Sequence, residues 1–186
     1  SEYIEGSSNN KALEIYNGTG TAVDLQNYKV VLYSNGSTDP GNTLTWTEET
    51  LLPDGEVYVI ANASANADIL AVSDTTSTVT YYNGNDAVAL QMASDDSYVD
   101  VLGTIGDDSY WGAEVTLVRK ENICEGDTKP SDAFDPADEW DSFAQDYIDN
   151  LGIHTASCSV EILPEDLFIS EYIEGSSNNK ALEIYN

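Results

Sequence analysis

The chain has 186 residues, room for one domain of roughly 150–170 residues with a single core, and its 41% apolar and 22% charged residues suit a globular protein. Six Lys and Arg stand against 34 Asp and Glu, a formal charge of −28. That balance argues against a nucleic-acid surface, which needs Lys and Arg to release phosphate counterions, and against docking on anionic lipid; no apolar run approaches the ~20 residues that span a bilayer.

In chain order, residues 12–16 (ALEIY) alternate as a strand, and Asn17-Gly18-Thr19-Gly20 follows as a turn. Residues 28–33 (YKVVLY) form a second strand, closed by Asn35-Gly36. A Pro53-Asp54-Gly55 turn then leads into a strand over 56–60. Residues 79–82 and 87–92, joined by Asn83-Gly84-Asn85-Asp86, carry the clearest hairpin signal. Strands at 98–103 and 115–119 complete the set. Short strands rich in Val, Tyr and Thr and separated by turn residues indicate a β-sandwich or barrel. Two stretches break the pattern. Residues 61–72 are alanine-rich and helical in character. Asp135 can cap a second helix, with Pro136 at its first position and Trp140, Phe143, Tyr147 and Leu151 near helical spacing before Gly152 stops it. An aromatic-anchored loop is the alternative there.

One feature dominates everything else. Residues 1–17 read SEYIEGSSNNKALEIYN, and residues 170–186 read the same seventeen letters. Chance does not produce this, and a period of 170 − 1 = 169 residues has the length of a domain and not of a solenoid repeat. The expected organisation is a domain over 1–163, a short linker with entry to the next repeat over 164–169, and the first segment of a second repeat over 170–186. One sandwich has one slot for such a segment. The spare strand Ala181-Leu182-Glu183-Ile184-Tyr185 therefore begins the next covalent domain, pairs with another molecule, or stays disordered. Neighbouring copies of the same chain are the expected partner.

Taken together, IEGSSNNKALEIYN, YKVVLYSNG, YYNGNDAVAL, VTLVRK, GDTKPSDAFDPADEW and LGIHT in this order resemble the bacterial lamin-tail domain over residues 1–159. The resemblance implies an all-β, immunoglobulin-like β-sandwich, here with one or two short helical turns. It also implies an extracellular or cell-surface setting in bacteria and a non-catalytic role. Such domains accompany secreted nucleases and phosphatases, so an accessory or targeting domain is the alternative to a structural module.

Catalytic constellations are scarce. His154 is the single histidine, close to Cys158 in LGIHTASC, too little for a zinc site and weak as a Cys–His dyad. Cys124 and Cys158 are expected to form one disulfide, two free thiols being the alternative. Calcium is the one cofactor with a physical case, because residues 127–149 carry eight acids against Lys129. Asp127, Asp132, Asp135 and Asp138 are the candidate ligands; a screened acidic face is the other reading. Trp46, Trp111 and Trp140 read as core or loop anchors before sugar platforms.

Overall fold

The computed structural model describes residues 1–158, 168–174 and 180–185. Its elements in chain order are β1 (Glu2–Glu5), β2 (Lys11–Tyr16), β3 (Val23–Asp24), β4 (Tyr28–Tyr33), β5 (Thr43–Thr45), β6 (Leu51–Leu52) and β7 (Val57–Ala61). Helix α1 (Ala67–Val72), β8 (Thr75–Thr76), β9 (Ala87–Met92), β10 (Tyr98–Leu102) and β11 (Val115–Arg119) follow. Helix α2 (Pro136–Glu139), β12 (Trp140–Ala144), β13 (Phe168–Glu174) and β14 (Lys180–Tyr185) complete the order.

Two open sheets pack as a sandwich. One has the order β12-β11-β1-β2-β7-β8 and the other β10-β9-β4-β5; β3 pairs β6 in a small ribbon. Every pairing is antiparallel except β7 with β8. Between the sheets lie Tyr3, Leu13, Ile60, Leu117 and Trp140 from the first and Val30, Leu32, Val88 and Leu102 from the second. The outer face of the larger sheet is covered too: Ile4, Ala12, Val59 and Ala61 meet Ile69 of α1 and Leu151. This double burial explains why EYIE of β1 is buried at all four positions and does not alternate.

One expectation needs correction and two are narrowed. Residues 79–82 are not a hairpin strand: Thr78–Thr80 is a 3₁₀ turn, and β9 makes its hairpin with β10. Val79 and Tyr82 are fully buried between the sheets, and Asp86 accepts the Asn83 and Asn35 amides at 2.7 and 2.6 Å, which folds the segment inward. The first helix covers only Ala67–Val72, capped by Asn66, because Ala61 belongs to β7. The second is a single turn, capped by Asp135 as expected. Trp140 then leaves it to pair with Arg119, so burial of Trp140 on β11 overrides the helical spacing.

The boundary expected between residues 163 and 164 lies outside the described residues. Phe168 and Ile169, in the stretch expected to be the short linker with entry to the next repeat, open β13.

Candidate assembly site: the repeated hairpin

Residues 1–17 fold as the β1–β2 hairpin at the centre of the larger sheet, paired on one side to β11 and on the other to β7. Gly6 forms the bend because a Cβ there would lie 2.5 Å from both the Asn10 carbonyl oxygen and Asp146 Oδ1. Asp146 Oδ1 accepts the Ser7 amide at 2.8 Å and Asn10 Nδ2 at 3.1 Å, and these hydrogen bonds, that from Ser7 first, hold its carboxyl below the ordinary range. Asn10 Oδ1 in turn accepts the Asn66 amide. The SSNN turn is therefore clamped by segments 56 and 136 residues further along the chain.

The hairpin body is held just as densely. Tyr82, fully buried, donates its hydroxyl to the carbonyls of Ile4 and Ala12 at 3.1 and 2.6 Å. Lys11 pairs with Glu5 at 2.7 Å, and Glu5 Oε2 accepts the Glu114 amide at 2.6 Å. On the outer face Glu2 and Glu14 are direct cross-strand partners, 1% and 2% exposed. Glu14 accepts Ser1 Oγ at 2.6 Å and the Gly152 amide at 2.7 Å, whereas both carboxylate oxygens of Glu2 are buried without a partner. Burial, reinforced by the Glu14 carboxylate and opposed by the Ser1 ammonium, pushes the Glu2 pKa from 4.5 up to about 8. Burial raises Glu14 as well, against the Ser1 ammonium and the hydrogen bonds from Ser1 and Gly152. Sequence reading did not single out this acid pair. The signal was available in Glu2-x-Ile4 and Ala12-x-Glu14, which put each acid on the same face as an apolar residue.

The second copy folds into the same hairpin. Glu171 faces Glu183, Tyr172 faces Leu182, Ile173 faces Ala181 and Glu174 faces Lys180, the register of β1 with β2 shifted by the period. Its surroundings differ. β13 and β14 form a two-stranded sheet of their own. Ala181 and Glu183 are exposed where Ala12 and Glu14 are buried, and Ile184 is 65% exposed where Ile15 is half-buried. The strand expected to self-associate, Ala181-Leu182-Glu183-Ile184-Tyr185, is thus β14.

The other sequence-predicted sites resolve simply. Cys124 and Cys158 are joined as a disulfide with Cα atoms 5.7 Å apart, which removes the thiol from any Cys–His dyad. His154 packs edge-on to Tyr16 at 4.9 Å, and burial, helped by the Ser1 ammonium and Arg119, lowers its pKa to about 4. The four calcium candidates do not converge. Asp127 accepts the Lys129 amide, the Asp132 carbonyl accepts Thr104 Oγ1, Asp135 caps α2, and the Asp138 carbonyl accepts Lys120 Nζ. Among the described residues no three of His, Cys, Asp and Glu come together in a way that could hold a metal ion. Trp111 packs edge-on to Phe134, Trp46 edge-on to Tyr58, and Trp140 lies under Arg119, so all three are anchors within the domain. Arg119 itself bridges Asp100 and Glu139 at 2.6 Å each.

The family model of the lamin tail domain matches residues 1–106, more than half of the 186-residue chain. The chain belongs to the lamin tail domain family. The match begins with the hairpin and runs past β10; β11 and β12 complete the larger sheet of this lamin tail domain beyond it. No curated protein and no solved structure matches the chain. The lamin tail domain is an immunoglobulin-like fold, in agreement with the two packed sheets.

Proposed function

We propose that this lamin tail domain is a non-enzymatic, extracellular structural module, one period of a covalent tandem array in a bacterial surface protein. One observation carries the reading: the second copy of the seventeen residues makes the same hairpin in the same register, yet outside the sheets of the first domain. The clamps on the first copy come from residues downstream of it, among them Val57–Ala61, Asn66, Tyr82, Glu114, the strand Val115–Arg119, Asp146 and Gly152. The second copy calls for the same set, which in an array its own downstream residues supply. The disulfide supports an oxidising, extracellular setting. The charge of −28 makes neighbouring modules repel, which favours an extended array over a collapsed one.

The exposed Ala181, Glu183 and Ile184 of β14 also motivate intermolecular strand exchange, a head-to-tail contact that propagates without closing. Light scattering on a polypeptide ending at Pro164 and on the full chain separates the two. Monomeric behaviour of both supports the covalent reading. Concentration-dependent growth of the full chain alone supports exchange and contradicts it. An accessory domain of a secreted nuclease or phosphatase is the remaining alternative. The non-enzymatic reading would be overturned by hydrolysis of DNA or a phosphate ester by the purified chain with Mg²⁺.

A further inference from the structure

The two copies of the hairpin differ at one end. β1 pairs with β2 from Glu5↔Lys11 to Glu2↔Glu14, whereas β13 continues past the equivalent pair to Ile169↔Ile184 and Phe168↔Tyr185. A register shift between Ile169 and Glu171 brings Ile169 opposite Ile184, the counterpart of Ile15. In the first domain the corresponding place lies between β2 and β11, beyond Ser1. A cleft of about 800 Å³ opens there, lined among others by Ser1, Leu13, Ile15, Tyr16, Arg119 and His154. Ser1 already spans the two neighbouring strands there, its nitrogen donating to the Glu14 carbonyl of β2 at 2.7 Å and its carbonyl accepting the Arg119 amide of β11 at 2.8 Å, opposite sides as at a bulge, where β13 has its register shift.

Resting on the tandem reading, we infer that this cleft is the seat of a Phe-Ile pair running directly ahead of Ser1, which lengthens β1 as Phe168 and Ile169 lengthen β13. The chemistry of the two positions fits. Direct cross-strand partners share a face, so an isoleucine opposite Ile15 joins the face that packs on the inter-sheet core with Leu13. A phenylalanine opposite Tyr16 joins the face on which the His154 ring stands edge-on to Tyr16 at 4.9 Å. The backbone fits as well. Asn17 turns its backbone amide and carbonyl toward the β7 side, donating to the Glu56 carbonyl and accepting the Gly55 amide. Alternation along an antiparallel strand therefore turns the amide and carbonyl of Tyr16 to the opposite side, where the added residues lie. Each module junction is then a continuous strand: the linker's last two residues are part of the next sandwich and not a free hinge.

The test compares the full chain carrying Phe-Ile directly ahead of Ser1 with the same chain carrying Gly-Gly there. Seating two apolar side chains raises the melting temperature of the Phe-Ile form by on the order of 5–10 °C over the Gly-Gly form, given the usual burial gain and the size of this domain. Amide exchange at Tyr16 slows at least tenfold in the same protein. Equal melting temperatures with equal exchange at Tyr16 would overturn the inference, as would a melting shift with no added protection at Tyr16. The measurement reads the first domain only. It therefore stands apart from the array itself, which fails if native material shows no regular succession of modules.

Discussion

Replacing Glu2 with glutamine tests the energetics of the buried acid pair. Glu2 is 1% exposed, lies directly across from Glu14 and has no hydrogen-bond partner for either oxygen. Its pKa moves from 4.5 unfolded to about 8 folded, so the folded protein holds a proton that the unfolded chain has released. The stability associated with that proton is full below pH 4.5 and is lost as pH rises through 8. At ~1.4 kcal/mol per tenfold change in proton affinity, the ionised side chain costs the fold about 5 kcal/mol at high pH. Glutamine keeps the shape and removes the charge, but its buried amide costs ~1–3 kcal/mol if it stays unpaired. Glu2→Gln should therefore be more stable than the parent by about 2–4 kcal/mol at pH 9, or roughly 5–10 °C in melting temperature. At pH 4.5 and below, where the parent acid is protonated and the ionic cost is absent, only the amide penalty remains and the variant should be the less stable by about 1–3 kcal/mol. The Ser1 ammonium, its pKa lowered to about 6 chiefly by burial, works in the opposite direction between pH 6 and 8. Most of that opposing trend is common to the two proteins, so their difference reports Glu2 together with its pull on the Ser1 ammonium. Thermal unfolding followed by tryptophan fluorescence from pH 4.5 to 9 provides the readout. Parallel profiles for parent and variant would refute the assignment of a buried, protonated Glu2.

Tyr82→Phe deletes the hydroxyl that serves the Ile4 and Ala12 carbonyls and should destabilise the domain by about 1–3 kcal/mol in urea unfolding, without a change in secondary structure. Replacing both Cys124 and Cys158 with serine opens a bridge spanning 34 positions and should cost about 3–4 kcal/mol in the chain-entropy account, measured the same way without reductant. Gly6→Ala places a Cβ 2.5 Å from backbone and Asp146 oxygen and should lower the melting temperature by roughly 5 °C or more, whereas alanine at Gly55, where a Cβ meets nothing within 4 Å, leaves only the cost of its positive φ. Because the acids at 127, 132, 135 and 138 do not converge, CaCl₂ and NaCl at matched ionic strength should raise the melting temperature equally; a clear excess for calcium would reveal a site.

Alternation and turn residues made much of the sandwich readable. KALEIY, YKVVLY and VYVIA are strands where the period and the flanking Asn-Gly or Asp-Gly turns put them, and VTLVR follows from its β-prone residues alone. The failures share a cause. Val79 and Tyr82 look like strand residues because they are apolar and β-prone, yet their place is a plug between the sheets, which no local pattern encodes. Trp140 and Phe143 keep helical spacing on paper, but the edge of β11 offers hydrogen bonds and a buried site for Trp140 that a helix cannot match. The candidate hairpin was legible in a different way, from identity and not from chemistry, since the same seventeen residues occur twice. Their surroundings were not legible. Which residues clamp the hairpin depends on Asp146 and Tyr82 arriving from more than 60 residues away. A dense run of acids does not by itself bring oxygens together: of the residues expected to hold calcium, Asp135 caps a helix and Asp127 accepts an amide in a turn.

Electron microscopy of the native polypeptide tests the tandem reading most directly. The reading requires beads of one domain's size at regular spacing along a single covalent chain that survives denaturation as one high-mass species. Isolated single beads, or a fibre that falls apart on denaturation into chains holding one domain each, would contradict it.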